Sequence, residues 1–455
     1  MFSLGEILRI VGGAPHRTEA DALVRSPRRV VHDSRHVTPG DLFLALPGER
    51  TDGHAFLAEA YARGAFAAIV SRASGIPDTA INLIVVNDPL AALHELASAW
   101  RRQLTGTFVA VTGTCGKTTT KALTAQLVEG THVTYAAPEN YNTEIGVPLA
   151  LLAMPRSAEV GLFELGAERP GDIAPLARLV DPQFVVLTRV GHGHLTGFGS
   201  LAAVAEEKWS AVTTSPHLVR LLVNADDRRL RRRAADWPGA QTAFGVECGT
   251  LRGAVRGSPP PLHVAIEDPP MELSCALASR HHVTDLLAAV AVALELGVAP
   301  DDLRQRATGF RPAPRRLQPK PAPFGLLLDD SYNANPESTF AALDALAEYS
   351  AAIPGRAFVF GDMLSLGRAS DRWHRAVLRR AIRLGIDPII PVGERATHAA
   401  SRLSPLPQQR IHLVGPRSIE HEIRILLSRR PPTILLVKGS RAVGLDRLVD
   451  ALASG

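Results

Sequence analysis

Cysteine, lysine and aromatic side chains are scarce in this chain, and no long apolar run interrupts it. Its 455 residues contain three cysteines, Cys115, Cys248 and Cys275, an odd number and far too few for a disulfide framework. A reducing compartment is expected. Aromatic residues make up 5% of the chain and the formal net charge is +5, which leaves little to stack bases or track a phosphate backbone. No nucleic-acid partner is expected, and a small anionic substrate is compatible with the charge. The longest apolar stretch, Leu286 to Leu294, is about half of a membrane span, so no membrane insertion is expected. The amino terminus breaks a short apolar run with Glu6 and Arg9 and lacks a secretory pattern. The cytoplasm is the expected location.

Lysine is the scarcest charged residue. Of 50 basic residues, only Lys117, Lys121, Lys208, Lys320 and Lys438 are lysine, and 45 are arginine. A lysine kept against such a bias points to a place where a compact amine is needed and a planar guanidinium cannot substitute. What is abundant is ordinary: 46% hydrophobic and 21% charged residues describe a globular protein. The length suggests about three domains.

The expected fold is α/β with three domains: a small amino-terminal α/β domain over 1–104, a central parallel-sheet domain over 105–311, and a smaller Rossmann-like domain over 312–455. Strands are expected at Phe108–Val111, Val160–Phe163, Phe184–Val190 and Leu221–Val223, then at Leu326–Leu328, Ala357–Phe360, Ile389–Val392 and Ile434–Val437. Pro312, Pro314, Pro319, Pro321 and Pro323 lie between the two series and read as a hinge. The arginines from Arg228 to Arg233 read as a solvated helix face, and Pro259-Pro260-Pro261 as a surface loop.

Chemistry concentrates at Gly113-Thr114-Cys115-Gly116-Lys117-Thr118-Thr119. The string follows an apolar strand and opens a helix, the setting in which backbone amides and a helix amino end receive phosphate. Lys117 would offset the β and γ phosphates, and the Thr118 hydroxyl would ligate magnesium. An ordinary tight turn is the alternative. Glu164 ends the second expected strand and His194 lies just past the third. The carboxyl ends of parallel strands line one crevice, so both are expected to converge on the phosphate loop. His194 taken alone is as readily a surface-loop histidine. A zinc site from His192 and His194 is a weaker reading, because no cysteine or third histidine stands at a matching spacing. Lys208, on an expected helix beyond the histidine loop, reads on its own as a solvated lysine.

These strings resemble the ATP-dependent Mur ligases of peptidoglycan synthesis. The likeness covers nearly the whole chain: Asp33-Ser34-Arg35 and Asp52-Gly53-His54, then Thr112 to Thr120, Asn140-Tyr141-Asn142-Thr143 and Glu164-Leu165-Gly166-Ala167, and finally Asp329-Asp330-Ser331-Tyr332-Asn333-Ala334-Asn335-Pro336 and Lys438-Gly439-Ser440-Arg441. The resemblance implies an enzyme that forms an amide by way of an acyl phosphate, using ATP and two magnesium ions. Its Tyr332-Asn333-Ala334-Asn335 string points to the member that joins UDP-N-acetylmuramoyl-tripeptide and D-alanyl-D-alanine. A sister ligase adding one amino acid, or an inactive nucleotide-binding relative, is the alternative. A monomer is expected.

By the same resemblance, Lys117, Glu164, His194 and Lys208 are catalytic. Thr118 and Glu164 would hold one magnesium, and Glu164, His194 and a carbamylated Lys208 would serve the other. Asp285, Arg316, Asp330 and Asn333 would join Gly113 to Thr119 on ATP. Ser34, Arg35, Asp52 and His54 would bind the UDP part, Asn142 and Thr143 the phosphates or muramoyl end, and Lys438, Ser440 and Arg441 the dipeptide carboxylate. Two positions depart from the family pattern. Cys115 replaces a more usual asparagine or serine, either as an inert buried thiol or as a reactive one. Asp285 stands where relatives carry an asparagine near adenine.

Overall fold

The computed structural model describes residues 1–48, 51–73, 82–349, 353–403, 410–414 and 419–453. Three sheets follow one another along the chain, each with helices packed on it. The first orders its strands Ala14–His16, Leu83–Val85, Ala67–Val70, Leu42–Leu44 and Val30–Val31, parallel except for the first. Ala67–Val70 and Leu42–Leu44 are buried throughout, as unbroken apolar strands in a parallel sheet must be. The helix Pro89–Arg101 opens with Asp88 accepting from the Leu90 and Ala91 amides, a side-chain cap with proline in the first turn. Its Trp100 indole donates to the Met154 carbonyl at 3.1 Å and so ties this region to the next.

The central sheet has nine strands, in the order Met271–Cys275, Leu262–Ile266, Leu251–Arg256, Gln241–Gly245, Arg220–Asn224, Phe184–Leu187, Thr107–Thr112, Val160–Leu165 and Thr134–Ala136. Pairing is parallel from Leu251–Arg256 to the Thr134–Ala136 edge. The strands from 251 to 275 form an antiparallel meander that the sequence reading missed. Their alternating burial, with Leu262, Val264 and Ile266 inward, is the period of two that marks a sheet with one wet face. The triproline lies in the turn between the first two of them.

Two strand ends differ from expectation in ways that matter. The strand Val160–Leu165 runs past Glu164, which is therefore buried within the strand rather than standing beyond it. The strand at Phe184 stops at Leu187, leaving Thr188 to Val190 free to bond the phosphate loop. The longest apolar run belongs to the helix Val283–Glu295, buried on all sides and packed on the helix Lys117–Val128. Each fully buried leucine there, such as Leu287, contributes about 2–3 kcal/mol. Among the described residues, no helix is long and apolar enough to cross a membrane.

The third sheet orders Gln318–Ala322, Gly325–Asp330, Thr433–Lys438, Gly355–Gly361 and Ile389–Val392, with only the first strand antiparallel. The hinge reading of the proline run needs correction here. Pro312 and Pro314 are irregular and Pro323 lies in the hairpin turn, while Pro319 and Pro321 sit inside the edge strand, opposite Leu328 and Leu326. Proline is tolerated there because an edge strand has one side of its backbone unpaired, and prolines two apart face that side together.

Candidate active site

The phosphate loop spans the gap between the strand Thr107–Thr112 and the helix Lys117–Val128, and its shape is fixed by close packing. Gly116 has φ +86°, and a Cβ there would stand 2.2 Å from Asp285 Oδ1; a Cβ at Gly113 would stand 2.0 Å from Thr188 Oγ1. Only glycine fits either place. The neighbouring strand end anchors the loop: Thr188 Oγ1 donates to the Cys115 carbonyl at 2.6 Å, and the Thr114 amide donates to the Arg189 carbonyl at 2.7 Å. Cys115 is half-buried, with its sulfur 3.4 Å from the Asn335 amide group of the third region. Burial raises its thiol pKa, which favours the inert reading over the reactive one.

Charge is gathered under this loop. Glu164 is 2% exposed, accepts from the Thr118 hydroxyl at 3.1 Å through Oε2, and has Lys121 Nζ 3.1 Å from Oε1. That second oxygen receives no directed hydrogen bond. Arg316 reaches from the third region to donate to Thr118 Oγ1 at 2.8 Å while stacking over Tyr332. Lys117 folds back onto the Gly113 carbonyl at 2.6 Å, and burial lowers its pKa. Thr118 and Glu164 are thus two oxygen donors side by side, with one carboxylate oxygen held only by its ion pair to Lys121. Among the described residues, no three histidine, cysteine, aspartate or glutamate side chains form a metal site by themselves. Magnesium suits such a half-built site, since it takes one or two protein oxygens and completes its shell with phosphate and water.

One cavity of about 1090 Å³ joins these groups to His194, Lys208 and the third region. His194 adopts φ +56° just before a short helix, with its ring 3.9 Å from Glu168. Burial lowers its pKa. Lys208 is 3% exposed, and its amine makes no hydrogen bond or ion pair among the described residues. Burial, helped by the charge of Lys117, brings its pKa down to about 7. The neighbouring Glu207 accepts the Gly171 and Ile173 amides at 2.7 and 2.6 Å. It thereby fixes the loop that leaves the Glu164 strand. His192 is spent on Glu337 of the third region, which removes it from any zinc pair with His194.

Asn142, Thr143, Asp285, Asp330, Asn333, Lys438, Ser440 and Arg441 also line the cavity. Several are already engaged. Lys438 is buried with its ammonium 2.6 Å from Asp330 and 2.9 Å from the Asn333 carbonyl, and Ser440 Oγ accepts the Leu364 amide. Burial pushes Asp285 up to about 7, against the pull of Arg189 and Arg316. Ser34, Arg35, Asp52 and His54 do not line this cavity. Ser34 donates to Glu59, Arg35 grips Asp33, and His54 bonds Asp52 at 2.6 Å with the Ser71 amide on its other nitrogen. Lys121, Arg189 and Glu337 were not read from the sequence as neighbours of the site. Lysine scarcity marked Lys121; nothing local marked the other two. His282 belongs to the segment His281-His282-Val283-Thr284-Asp285 that departs from the family pattern near adenine.

The elements assembled here define a phosphate-loop α/β protein of three regions whose last region closes over the loop. Three family models match in chain order: "Mur ligase family, catalytic domain" over 28–101, "Mur ligase middle domain" over 111–293, and "Mur ligase, glutamate ligase domain" over 315–441. The chain is 34% identical to the UDP-N-acetylmuramoyl-tripeptide–D-alanyl-D-alanine ligase of Escherichia coli strain K12, over 93% of each chain. It is 31% identical to the ligase of that name from Mycobacterium leprae, over 99% of this chain and 98% of that one. Among solved structures, a MurF from Acinetobacter baumannii superposes with a TM-score of 0.87 at 28% identity, covering 100% of this chain and 99% of that one. A MurF ligase from Thermotoga maritima in complex with ADP gives 0.81 at 29% identity, covering 94% and 97%. The chain belongs to the Mur ligase family.

Proposed function

We propose that this chain is an ATP-dependent ligase that joins D-alanyl-D-alanine to UDP-N-acetylmuramoyl-tripeptide, giving the pentapeptide precursor of peptidoglycan. The observation that carries this reading is full-length likeness to ligases of that name, and the cavity holding loop, carboxylate and lysine together supports it. Residues 1–104 take the UDP-muramoyl substrate, 105–311 the ATP and 312–455 the dipeptide. ATP and UDP-linked substrates are cytoplasmic, and we place the enzyme there.

A carboxylate does not condense with an amine in water until one oxygen becomes a leaving group. The tripeptide carboxylate attacks the γ-phosphorus of ATP, ADP departs, and an acyl phosphate forms. The dipeptide amine then attacks the acyl carbon, and phosphate leaves with the former carboxylate oxygen. Lys117 exchanges its bond to the Gly113 carbonyl for the β and γ phosphates. Arg316, already at Thr118, closes over the nucleotide with Asp330 and Asn333. Thr118 and Glu164 would hold one magnesium, and Glu164, His194 and Lys208 would serve the second; bound there, such ions would offset the charge that keeps carboxylate and phosphate apart.

Lys208 serves as a carbamate. The ammonium first loses a proton; the neutral amine nitrogen then bonds the carbon of carbon dioxide and releases a second proton, so that a cation becomes an anionic oxygen donor. A pKa of about 7 leaves a large fraction of the amine unprotonated and nucleophilic at neutral pH. Asn142 and Thr143 border the phosphates. Ser34, Arg35, Asp52 and His54 shape the first-region surface that takes the UDP end. Arg441 receives the dipeptide carboxylate, with Lys438 and Ser440 holding its strand end in place. Phosphate release measured over a substrate panel tests the reading. Release that needs both the tripeptide and the dipeptide is expected; single amino acids replacing the dipeptide would indicate a sister ligase, and no release would indicate an inactive relative.

A further inference from the structure

Most cations around the phosphate loop are already committed: Lys117 to the Gly113 carbonyl, Lys121 to Glu164, Lys438 to Asp330 and Arg316 to Thr118. Besides Lys208, whose role is given above, Arg189 is the exception among the described residues. The residue lines the cavity and is half-buried, and its side chain makes no hydrogen bond, ion pair or ring contact among the described residues. Its backbone is the best fixed of all, because its carbonyl accepts the Thr114 amide at 2.7 Å and the preceding Thr188 bonds Cys115. A guanidinium that has lost part of its hydration without a partner is costly unless a ligand supplies one. Its planar fork is the shape that takes two phosphate oxygens at once.

Lys117 and Arg189 both act on Cys115 within the loop, and beyond it their neighbours differ. Lys117 acts on Glu164, His194 and Lys208, the side where the acyl group is activated. Arg189 acts on Asp285, which abuts Gly116 from the start of the helix Val283–Glu295. Three residues before Asp285, a turn back along the chain, lies His282. It lines the same cavity with its Nδ1 buried and unpartnered, and burial brings its pKa down to about 4. That wall carries a neutral imidazole with an unpartnered ring nitrogen, which suits a nucleoside. We infer that Arg189 is a nucleotide-binding residue of this enzyme, gripping the phosphate nearest the nucleoside, opposite the end held by Lys117.

This assignment rests on the ATP reading above, and the test separates the two. ADP binding is measured by calorimetry for the wild type, Lys117→Ala, Arg189→Met and Arg189→Lys, alongside steady-state kinetics. Arg189→Met is expected to weaken ADP binding and raise KM for ATP by roughly 10- to 100-fold, the size of a lost bond to a charged group. KM for the tripeptide and the dipeptide should stay within about twofold, which a general loss of structure would not allow. Should Arg189→Met fail to fold, Arg189→Lys keeps the charge without the fork and should weaken ADP by roughly 3- to 10-fold. ADP binding by the folded variant within about twofold of wild type overturns the assignment, as does a rise in tripeptide KM in place of ATP KM. If the wild type fails to bind ADP, or Lys117→Ala binds it normally, the nucleotide reading itself fails.

Discussion

A lysine that keeps its proton cannot attack carbon dioxide, so the setting of Lys208 decides whether it can serve as proposed. Burial and the nearby Lys117 supply that setting, and an arginine in the same place would stay charged. Lys208→Ala is expected to abolish ligation, and acetate or formate at high concentration to restore part of it by replacing the carbamate oxygens. Absence of any rescue, with the variant folded, would count against the carbamate. Asp285 makes a second prediction. Its folded pKa of about 7 lies above the ordinary 3.8, so between those values the folded protein holds a proton that the unfolded chain has released. Stability therefore falls as pH rises through that window. Asp285→Asn has no proton to lose; relative to wild type it should gain stability from about pH 4 to 7 and keep a constant advantage above, on the order of 4 kcal/mol at most. Denaturant melts at several pH values read this directly, and a flat difference would show that Asp285 titrates normally.

At the scale of elements, what could be read from the chain was whatever is local. The strand, turn and helix around Gly113 to Thr119 are encoded by adjacent residues, and Gly116 had to be glycine because its φ is +86°. Glu164 and Lys208 were legible because a carboxylate at a strand end and a rare lysine are conspicuous. Arg189 and Glu337 were not, since an arginine among 45 and a glutamate at a helix start gain meaning only when distant segments meet. The proline run misled for a related reason: proline signals a break, yet on an edge strand its missing amide costs nothing. Glu207 shows how an element is placed. It binds two backbone amides at the start of the helix Ile173–Val180 from the helix Leu201–Thr213 that also carries Lys208. Glu207→Ala should lower stability by about 1–3 kcal/mol, since the buried Ile173 amide and the part-buried Gly171 amide lose a charged acceptor. An unchanged denaturation midpoint would mean that water replaces the carboxylate without loss.

Across the whole molecule, the third region is held over the phosphate loop by contacts that cross from one region to the other. Arg316 meets Thr118 at 2.8 Å, Asn335 meets Cys115, Arg280 meets Glu348 at 3.0 Å, and Glu337 accepts the His192 amide at 3.0 Å as well as its ring. Such small polar interfaces open and close readily. Glu337→Ala should raise the radius of gyration measured by X-ray scattering without nucleotide while leaving ADP binding intact; an unchanged scattering profile would show that this contact does not hold the closed form. The account as a whole claims that the tripeptide carboxylate is activated by phosphoryl transfer in this cavity. Labelling that carboxylate with oxygen-18 and analysing the released phosphate by mass spectrometry tests it most directly. The account predicts that one labelled oxygen moves into phosphate with each amide formed, and phosphate carrying no label would contradict it.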